Sequence, residues 1–394
     1  MKFAHLADCH IGGWREPKLK ELSLKYFEKA IEMCISERVG FVLIAGDLFD
    51  SALPSIELLK ETARILKMLK DEDVSCYIIP GSHDFSPSGK TMIDVLEKAG
   101  LVENVMKISD GKLGFITDKT GAKITGMHGR KGGLESEDYK KIDMSHLENE
   151  KGFKIFMFHT ALNEFKPKEM ESVETMSYTS LPKGFDYYAG GHVHYSFSTT
   201  KEGYKRIAFP GPVFPNNFKE MEDFGSGRFC IVDSNLNCMQ KEIKLKEAAR
   251  YNIDADGIPA EDVEQKIISS ITNIEDKIVL LRISGILSSG RISDIKFGRI
   301  IEKLSNAFVV LCNIAGLKTK EFAKIDVELR NVPDVESALI KEFKLSLGGV
   351  DMAKQMMNAL DKEKAEGERN ADFEARVIKE TLGVLLIDYK EGQA

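Results

Sequence analysis

Residues 41–50 are Phe-Val-Leu-Ile-Ala-Gly-Asp-Leu-Phe-Asp, an apolar run that ends in a glycine and an aspartate. Such a run without polar alternation predicts a short strand that is buried on both faces of a sheet. Asp47 follows the strand directly, where its carboxylate can bridge two metal ions held roughly 3.5–4 Å apart. Asp50 fits a loop or supporting carboxylate better than a metal ligand.

The sequence around this strand alternates strand and helix patterns. Strands are predicted at 3–7, 41–45 and 76–79, and helices at 18–37, 55–70 and 91–98. This order predicts a mainly parallel sheet, because parallel neighbours need a crossover connection that a helix supplies. Ligands of such sheets gather beyond the carboxyl ends of the strands. Polar residues that directly follow a strand are therefore candidates for a functional site.

From about residue 103 the pattern changes mostly to strands, the clearest at 154–158, 187–190, 205–209 and 228–232. The stretch 129–151 is polar and contains Gly132-Gly133, so we expect a loop there. The two halves together predict an α/β fold, a two-sheet sandwich that occupies residues 1–240.

A second unit is predicted after the sandwich. Helices at 259–271 and 295–304 and strands at 277–283 and 308–313 indicate a small α+β domain at 244–318. Residues 319–394 are expected to form a linker and a C-terminal helical segment, with helices at 335–345, 352–360 and 373–389.

Four further segments offer side chains that bind hard metal ions: Asp8-Cys9-His10, Gly81-Ser82-His83-Asp84, Phe158-His159-Thr160 and Gly190-Gly191-His192-Val193-His194. Together with 46–50 they make five segments, and they hold five of the eight histidines of the chain. Aspartate and histidine also serve as caps at strand ends, so one segment alone would indicate little. Five such segments in series favour a dinuclear centre that activates a water and clamps a phosphate.

The spacing within two of these segments suits chelation. Asp8 and His10 are two residues apart, as are His192 and His194, and such side chains share one side of an extended chain. Mixed carboxylate and imidazole ligands suit Mn²⁺ or Fe²⁺ and accommodate Zn²⁺. His83 is a candidate to donate a proton to a leaving alkoxide; a purely structural histidine is the alternative.

The composition limits how this protein could bind nucleic acid and where in the cell it is expected. The chain has 394 residues and a net charge of −7, so any nucleic-acid binding has to use a local patch and bound metal. We expect no signal peptide and no membrane span, since no apolar run approaches roughly 18 residues. Six cysteines without paired spacing predict reduced thiols in an intracellular protein, cytoplasmic or nucleoid-associated if prokaryotic.

The motifs resemble those of the calcineurin-like metallophosphoesterase superfamily, which are D-x-H, G-D-x-x-D, G-N-H-D/E, a lone histidine and G-H-x-H. Within it, residues 1–8, residues 41–49 and the Phe209-Pro210-Gly211 turn are most similar to the DNA double-strand-break repair nucleases of the SbcD and Meiotic Recombination Eleven types. Those nucleases also carry a small capping domain and a C-terminal helical segment, which residues 244–318 and 334–394 resemble.

The resemblance implies two Mn²⁺ ions per chain. One ion would be surrounded by carboxylate and imidazole ligands from four segments, namely Asp8, His10, Asp47 and His194. The other would be surrounded by Asp47, His159 and His192. In this comparison His83 is the residue that stabilises the transition state, and Asp84 orients it.

One position departs from the family pattern. The family has Asn where this chain has Ser82, and the amide oxygen of that Asn binds the second ion. A serine hydroxyl is shorter and a weaker neutral ligand, so we expect Ser82 to hold the second ion more weakly.

The resemblance also implies partners and substrate. It implies a homodimer and a coiled-coil ABC-type ATPase that binds residues 334–394. The favoured interpretation is a Mn²⁺-dependent DNA exonuclease or endonuclease of double-strand-break repair. A small-molecule phosphodiesterase of the same fold and a weakly catalytic DNA-end-bridging subunit stay open as alternatives. A phosphoprotein phosphatase is disfavoured, because such enzymes usually have Arg where this chain has Ser51.

Candidate DNA contacts are basic and aromatic residues in loops near the motifs, namely Trp14, Arg15, Lys18, Arg130 and Lys131. Side chains of these kinds bind phosphates and stack on bases. Ordinary solvated loop charge is the alternative explanation for this group.

Overall fold

The computed structural model of the protein describes residues 1–86, 91–130, 135–166, 175–320, 355, 358–362 and 370–384. Two six-stranded sheets dominate it, which confirms the prediction of a two-sheet α/β sandwich. In sheet order, the strands of the first are β14 (Cys238–Ile243), β13 (Gly227–Val232), β1 (Phe3–Leu6), β2 (Phe41–Ala45), β3 (Ser75–Ile79) and β4 (Glu103–Asn104). β1, β2 and β3 run parallel, as their helical crossovers predict.

The second sheet is built from the strand-rich half of the chain. In sheet order its strands are β11 (Ser196–Lys201), β12 (Tyr204–Pro210), β10 (Tyr187–Gly191), β9 (Lys154–His159), β8 (Lys123–Gly126) and β7 (Ile116–Thr117). β10 lies between β9 and β12 and is parallel to both. Two short strands, β5 (Ile108–Ser109) and β6 (Lys112–Leu113), pair separately.

Apolar side chains from both sheets form one buried cluster, which includes Phe41 and Ala45 of the first sheet and Met157 and Ala189 of the second. The outer face of the first sheet packs against three helices, α1 (Pro17–Ser36), α2 (Ile56–Asp71) and α3 (Met92–Lys98). Because β2 is covered on both faces, it needs the continuous apolar sequence that marks it. This packing fixes the strand ends at which the motif residues lie.

The prediction of a loop at 129–151 is wrong. Its described part contains α4 (Glu135–Lys141) and α5 (Ser145–Glu148). Tyr139 and Leu147 of these helices are buried in a cluster with Phe156 of β9. A single large apolar residue per short helix gives little periodicity, and tertiary burial supplies the stabilisation instead.

The remaining strands form a three-stranded sheet of β15 (Ala248–Asp254), β16 (Ile278–Leu287) and β17 (Val309–Thr319). The remaining helices, in chain order, are α6 (Phe218–Phe224), α7 (Val263–Ser270), α8 (Phe297–Lys303) and α9 (Asn370–Val384). Short 3₁₀ turns lie at Tyr178–Ser180, Ala260–Asp262 and Ile292–Asp294.

The chain divides into two compact units. One comprises 1–251, 271–282 and 301–313, and the other 252–270, 283–300 and the described residues from 314 onward. The domain boundaries at 240, 244 and 318 stay a prediction. The predicted helix at 335–345 lies outside the described residues, and so does most of the predicted helix at 352–360. No helix in the described ranges combines the length and apolar character needed to cross a membrane.

Candidate metal centre

The motif residues follow or end five strands, β1, β2, β3, β9 and β10. Two glycines allow the close approach of these segments. A Cβ on Gly46 would lie 2.1 Å from His159 Nδ1, and one on Gly81 would lie 2.2 Å from Asp47 Oδ1. Any side chain at either position would therefore displace a candidate ligand.

Five candidate ligands have positive φ angles, which range from 41° to 89°; they are Asp8, His10, Asp47, His192 and His194. Non-glycine residues rarely adopt this conformation, although Asp and His tolerate it better than most. Backbone hydrogen bonds hold it here, from Asp8 N to Gly46 O (3.2 Å) and from His10 N to Asp47 O (3.0 Å). Strained residues that cluster in this way are typical of functional sites.

The first ligand set consists of Asp8, His10 and His194, whose candidate ligand atoms all lie within 4.8 Å of one another. The Nε2 atoms of the two histidines are 3.0 Å apart, and His194 Nε2 lies 3.7 Å from Asp8 Oδ1. Burial opposes protonation of His194, but Asp8 and Glu220 raise its pKa to about 9. The same negative surroundings attract a divalent cation.

The second ligand set consists of Asp47, His159 and His192. His159 Nε2 lies 3.1 Å from Asp47 Oδ2, and His10 Nε2 of the first set lies 3.6 Å from the same oxygen. Asp47 thus lies between the two sets. Burial alone would raise the pKa of Asp47, but the charges of His159 and His10 hold it well below its usual range.

The hydrogen bonds of the imidazoles show that these residues fit metal ions. His10 Nδ1 lies 3.1 Å from Asp50 Oδ1, and His194 Nδ1 lies 2.9 Å from Glu220 Oε1. A carboxylate oxygen can only accept a hydrogen bond, so the Nδ1 atoms of His10 and His194 both carry protons. The Nε2 atoms of these two histidines face each other at 3.0 Å. Two nitrogen lone pairs this close repel each other unless a proton or a cation lies between them. Two nitrogens that each lie about 2.1 Å from one ion are roughly 3 Å apart at a right angle.

His159 has the same arrangement. Its Nδ1 donates to Ala45 O over 2.8 Å, which leaves the Nε2 lone pair directed into the site. Among the described residues, this buried Nε2 makes no well-aligned hydrogen bond, and Asp47 Oδ2 at 3.1 Å is the acidic group beside it. A buried nitrogen without a partner is costly, and a metal ion would satisfy it.

His83 lies beside the first set, with its ring centroid 4.8 Å from that of His10. Its Nδ1 donates to the backbone oxygen of Asp50 over 2.7 Å and lies 3.6 Å from the Asp50 carboxylate. His10, Asp50 and His83 form a third group that could hold an ion. Asp50 therefore supports both histidines, in line with its interpretation as a supporting carboxylate.

Asp84 differs from the expectation that it orients His83. Its carboxylate accepts hydrogen bonds from the backbone N–H groups of Leu48 (3.1 Å), Phe49 (3.0 Å) and Gly81 (3.0 Å). Burial, followed by the charge of Asp47, raises its pKa to about 6. Asp84 thus fixes the loop after β2 to the loop after β3, and the ring of His83 contacts Asp50 instead.

Ser82 is buried, and its hydroxyl donates to Asp47 Oδ2 over 3.4 Å. The same oxygen is approached by His159 Nε2 of the second set at 3.1 Å and by His10 Nε2 of the first set at 3.6 Å. The short side chain reaches Asp47 only through this long contact.

Two residues that contact the centre were missed by sequence reasoning, Glu220 and Asn216. Glu220 contacts His194 as described, and Asn216 Nδ2 donates to Asp50 Oδ1 over 3.1 Å. Asn217 and Glu220 have the spacing of a helix start, and the Asn217 side chain caps α6. That signal predicts a helix, but nothing in it connects the helix to His194.

Three of the candidate DNA contacts have partners within the chain. Trp14 Nε1 donates to Pro215 O, and Lys18 Nζ donates to Phe308 O, both over 2.8 Å. Arg130 pairs with Asp138 at 3.0 Å and lies over the ring of Phe85. Arg15 is exposed, and Lys131 lies outside the described residues. A role in DNA binding stays a prediction for all five.

Comparison with known proteins finds relatives that match most of the chain. A relative from Archaeoglobus fulgidus, named DNA double-strand break repair protein Mre11, is 26% identical over 347 residues, which cover 77% of this chain and 75% of the relative. The Mre11 protein of Methanococcus maripaludis is 26% identical over 363 residues, which cover 87% of this chain and 89% of the relative.

Among solved structures, a dimetal phosphatase from Danio rerio matches 61% of this chain and 95% of its own, with 11% identity and a TM-score of 0.42. The family model described as calcineurin-like phosphoesterase matches residues 1–196, which contain every motif segment. The fold of this family implies a site for two metal ions. Residues 1–196 of this chain therefore form a calcineurin-like phosphoesterase domain.

Proposed function

We propose that this protein is a Mn²⁺-dependent DNA nuclease that acts in double-strand-break repair. The observation that carries the proposal is the position of Asp47 between two sets of imidazole and carboxylate ligands, within 3.1 Å of His159 and 3.6 Å of His10. Mixed oxygen and nitrogen ligands of this kind suit Mn²⁺. The similarity to DNA repair proteins along most of the chain supports DNA as the substrate.

The ligand residues have one task in this mechanism. Asp8, His10 and His194 would hold one ion, His159 and His192 would hold the other, and Asp47, which lies between the two sets, would be available to both. Ser82 would contribute to the second ion only weakly. When bound, two divalent ions in such a site generate a nucleophile from water and neutralise charge on the phosphate.

His83 assists the departure of the leaving group. A water oxygen forms a new bond to phosphorus, and the bond from phosphorus to the sugar oxygen breaks. Nδ1 of His83 is engaged with the Asp50 backbone oxygen, which leaves Nε2 for proton transfer to the departing sugar oxygen. Asp84 contributes indirectly, because it fixes the loop that carries His83.

Hydrolysis of end-labelled linear double-stranded DNA with Mn²⁺, followed on a sequencing gel, tests this function. Bis-p-nitrophenyl phosphate serves as the small substrate in parallel. Cleavage of the small diester while DNA stays intact would favour the small-molecule phosphodiesterase. Binding of two Mn²⁺ ions and of DNA ends without hydrolysis of either substrate would favour the end-bridging subunit.

Ser82→Asn should tighten the second ion. The longer amide side chain brings a carbonyl oxygen toward that ion, where the serine hydroxyl reaches only Asp47 at 3.4 Å. We expect higher affinity for one of two Mn²⁺ equivalents in titration calorimetry and higher hydrolysis at limiting Mn²⁺. Equal affinities in the two proteins would show that Ser82 already replaces Asn fully.

A homodimer through α2 and α3 is the second part of the proposal. Ile56 at the start of α2 is 80% exposed, Val95 of α3 is 50% exposed, and Leu53 nearby is 70% exposed. Leu53 and Ile56 are three residues apart in the sequence, and large exposed apolar side chains of this kind are candidates for an interaction surface. Ile56→Asp should weaken the dimer by about 30-fold or more, as the loss of an interface hot spot does.

Analytical ultracentrifugation at micromolar concentration measures this effect. Ile301→Asp is the matched control, because Ile301 is also apolar and 46% exposed but lies on α8. A wild-type protein that sediments as a monomer would contradict the dimer.

A coiled-coil ABC-type ATPase is the proposed protein partner, bound by residues 334–394. Within this range α9 presents Val377 on its half-buried side and Ile378, 46% exposed, to solvent. Amphipathic helices of this kind dock into a groove of a partner. Ile378→Asp should abolish co-purification with the ATPase, whereas Lys379→Ala should retain it. Full binding by Ile378→Asp would remove α9 from the interface.

A further inference from the structure

His10, His159 and His194 each have an outer ring nitrogen, the Nδ1 atom, which does not face the candidate metal positions. The partner of this nitrogen differs between the two ligand sets. In the first set, the outer nitrogens of His10 and His194 contact carboxylates, Asp50 at 3.1 Å and Glu220 at 2.9 Å. In the second set, the outer nitrogen of His159 contacts the neutral carbonyl of Ala45 at 2.8 Å. A carboxylate behind a ligating imidazole fixes its tautomer and makes it a stronger ligand.

Glu220 is held rigidly in place. One carboxylate oxygen accepts the backbone N–H of Asn216 over 2.8 Å, and the other accepts from the side chain of Asn217. The backbone N–H of Glu220 in turn donates to Asn217 Oδ1 over 2.9 Å. With these contacts the carboxylate has little freedom to turn away from His194.

The segment 216–220, which contains Glu220, also supports His10, the second histidine of the first set. Asn216 Nδ2 donates to Asp50 Oδ1 over 3.1 Å, and this oxygen is the one that His10 contacts. A single short segment, 216–220, therefore supports both imidazoles of one ion site, His194 through Glu220 and His10 through Asp50.

We propose that Glu220 is a positioning residue that holds His194 for the ion shared with Asp8 and His10, and that this support makes the first site the tighter of the two. The inference rests on the two-ion centre of the proposed function. It predicts that the first Mn²⁺ equivalent to bind occupies this set. Glu220 itself does not touch the substrate.

Titration of the full-length, metal-free protein with Mn²⁺ tests this, with free Mn²⁺ measured by electron paramagnetic resonance and no DNA present. Glu220→Gln should weaken the tighter equivalent by about 10- to 100-fold, the usual effect of losing such an outer carboxylate. Glu222→Gln is the matched control, since Glu222 lies on the same helix but pairs with Arg282. It should bind both equivalents as the wild type does.

Measurements in the His194→Ala background distinguish positioning of His194 from a purely structural role of Glu220 at the start of α6. If Glu220 acts through His194, Glu220→Gln added to His194→Ala should weaken Mn²⁺ binding no further. Equal losses in both backgrounds would overturn the inference. Glu220→Asp keeps the charge but shortens the reach, so it should fold like the wild type and still bind the first ion more weakly.

Unchanged titration by Glu220→Gln, or loss of the weaker equivalent alone, would also overturn the inference. Failure of the proposed function looks different. A wild-type protein that binds two Mn²⁺ ions, weakens as expected on Glu220→Gln and still cuts no DNA would contradict the nuclease and leave the positioning role intact.

Discussion

Asp47→Ala should abolish Mn²⁺-dependent DNA hydrolysis and reduce Mn²⁺ binding at both sites. Asp47 is buried between the ligand sets, and its Oδ2 lies within 3.6 Å of an imidazole from each. Its removal takes a ligand from both ions at once. We expect the loss of rate to exceed the roughly 10²- to 10⁴-fold effect of losing a general acid or base.

Metal stoichiometry and hydrolysis have to be measured on the same preparation of Asp47→Ala. Asp186→Ala is a suitable control, because Asp186 interacts with Lys154 N and Lys205 and lies in none of the three ligand groups. Normal binding of two Mn²⁺ ions and cleavage at the parent rate by Asp47→Ala would show that the site has been assigned to the wrong residues.

His83→Ala should separate catalysis from binding. If His83 stabilises the transition state and is not a ligand, the variant should keep both metal ions and its affinity for DNA. Its single-turnover rate should fall by roughly 10²- to 10⁴-fold, the range for a general acid or base. Its ring contacts the Asp50 backbone oxygen and leaves one nitrogen free for this role.

The group formed by His10, Asp50 and His83 supplies the competing outcome. If His83→Ala loses one Mn²⁺ equivalent, His83 belongs to the ligands. If the rate is unchanged, it has no catalytic role. His128→Ala is a matched control, since His128 pairs with Asp138 and belongs to none of the ligand groups.

Much of the sandwich could be predicted from the sequence, because its signals are local. A continuous apolar run at 41–45 is needed wherever a strand is covered on both faces, and β2 is such a strand. Strand-end residues of a parallel sheet meet at one edge, so Asp8, Asp47 and His83 could be placed near one another. Their roles in the site stay a prediction.

What could not be predicted depends on contacts between distant segments. Nothing near His194 in the sequence indicates Glu220, because the seven-residue helix α6 is brought to that histidine only by tertiary packing. The partners of Asp84 are backbone N–H groups, which no side-chain motif encodes. The helix α4 was missed because its burial rests largely on Tyr139, which gives no helical period.

Anomalous diffraction from a crystal soaked in Mn²⁺ tests the central claim most directly, because it shows where ions bind without relying on activity. We expect two peaks. One should be bound by Asp8, His10 and His194, the other by His159 and His192, and Asp47 should contact both. A single peak held by His10, Asp50 and His83, or ions that leave Asp47 without contact, would contradict the account.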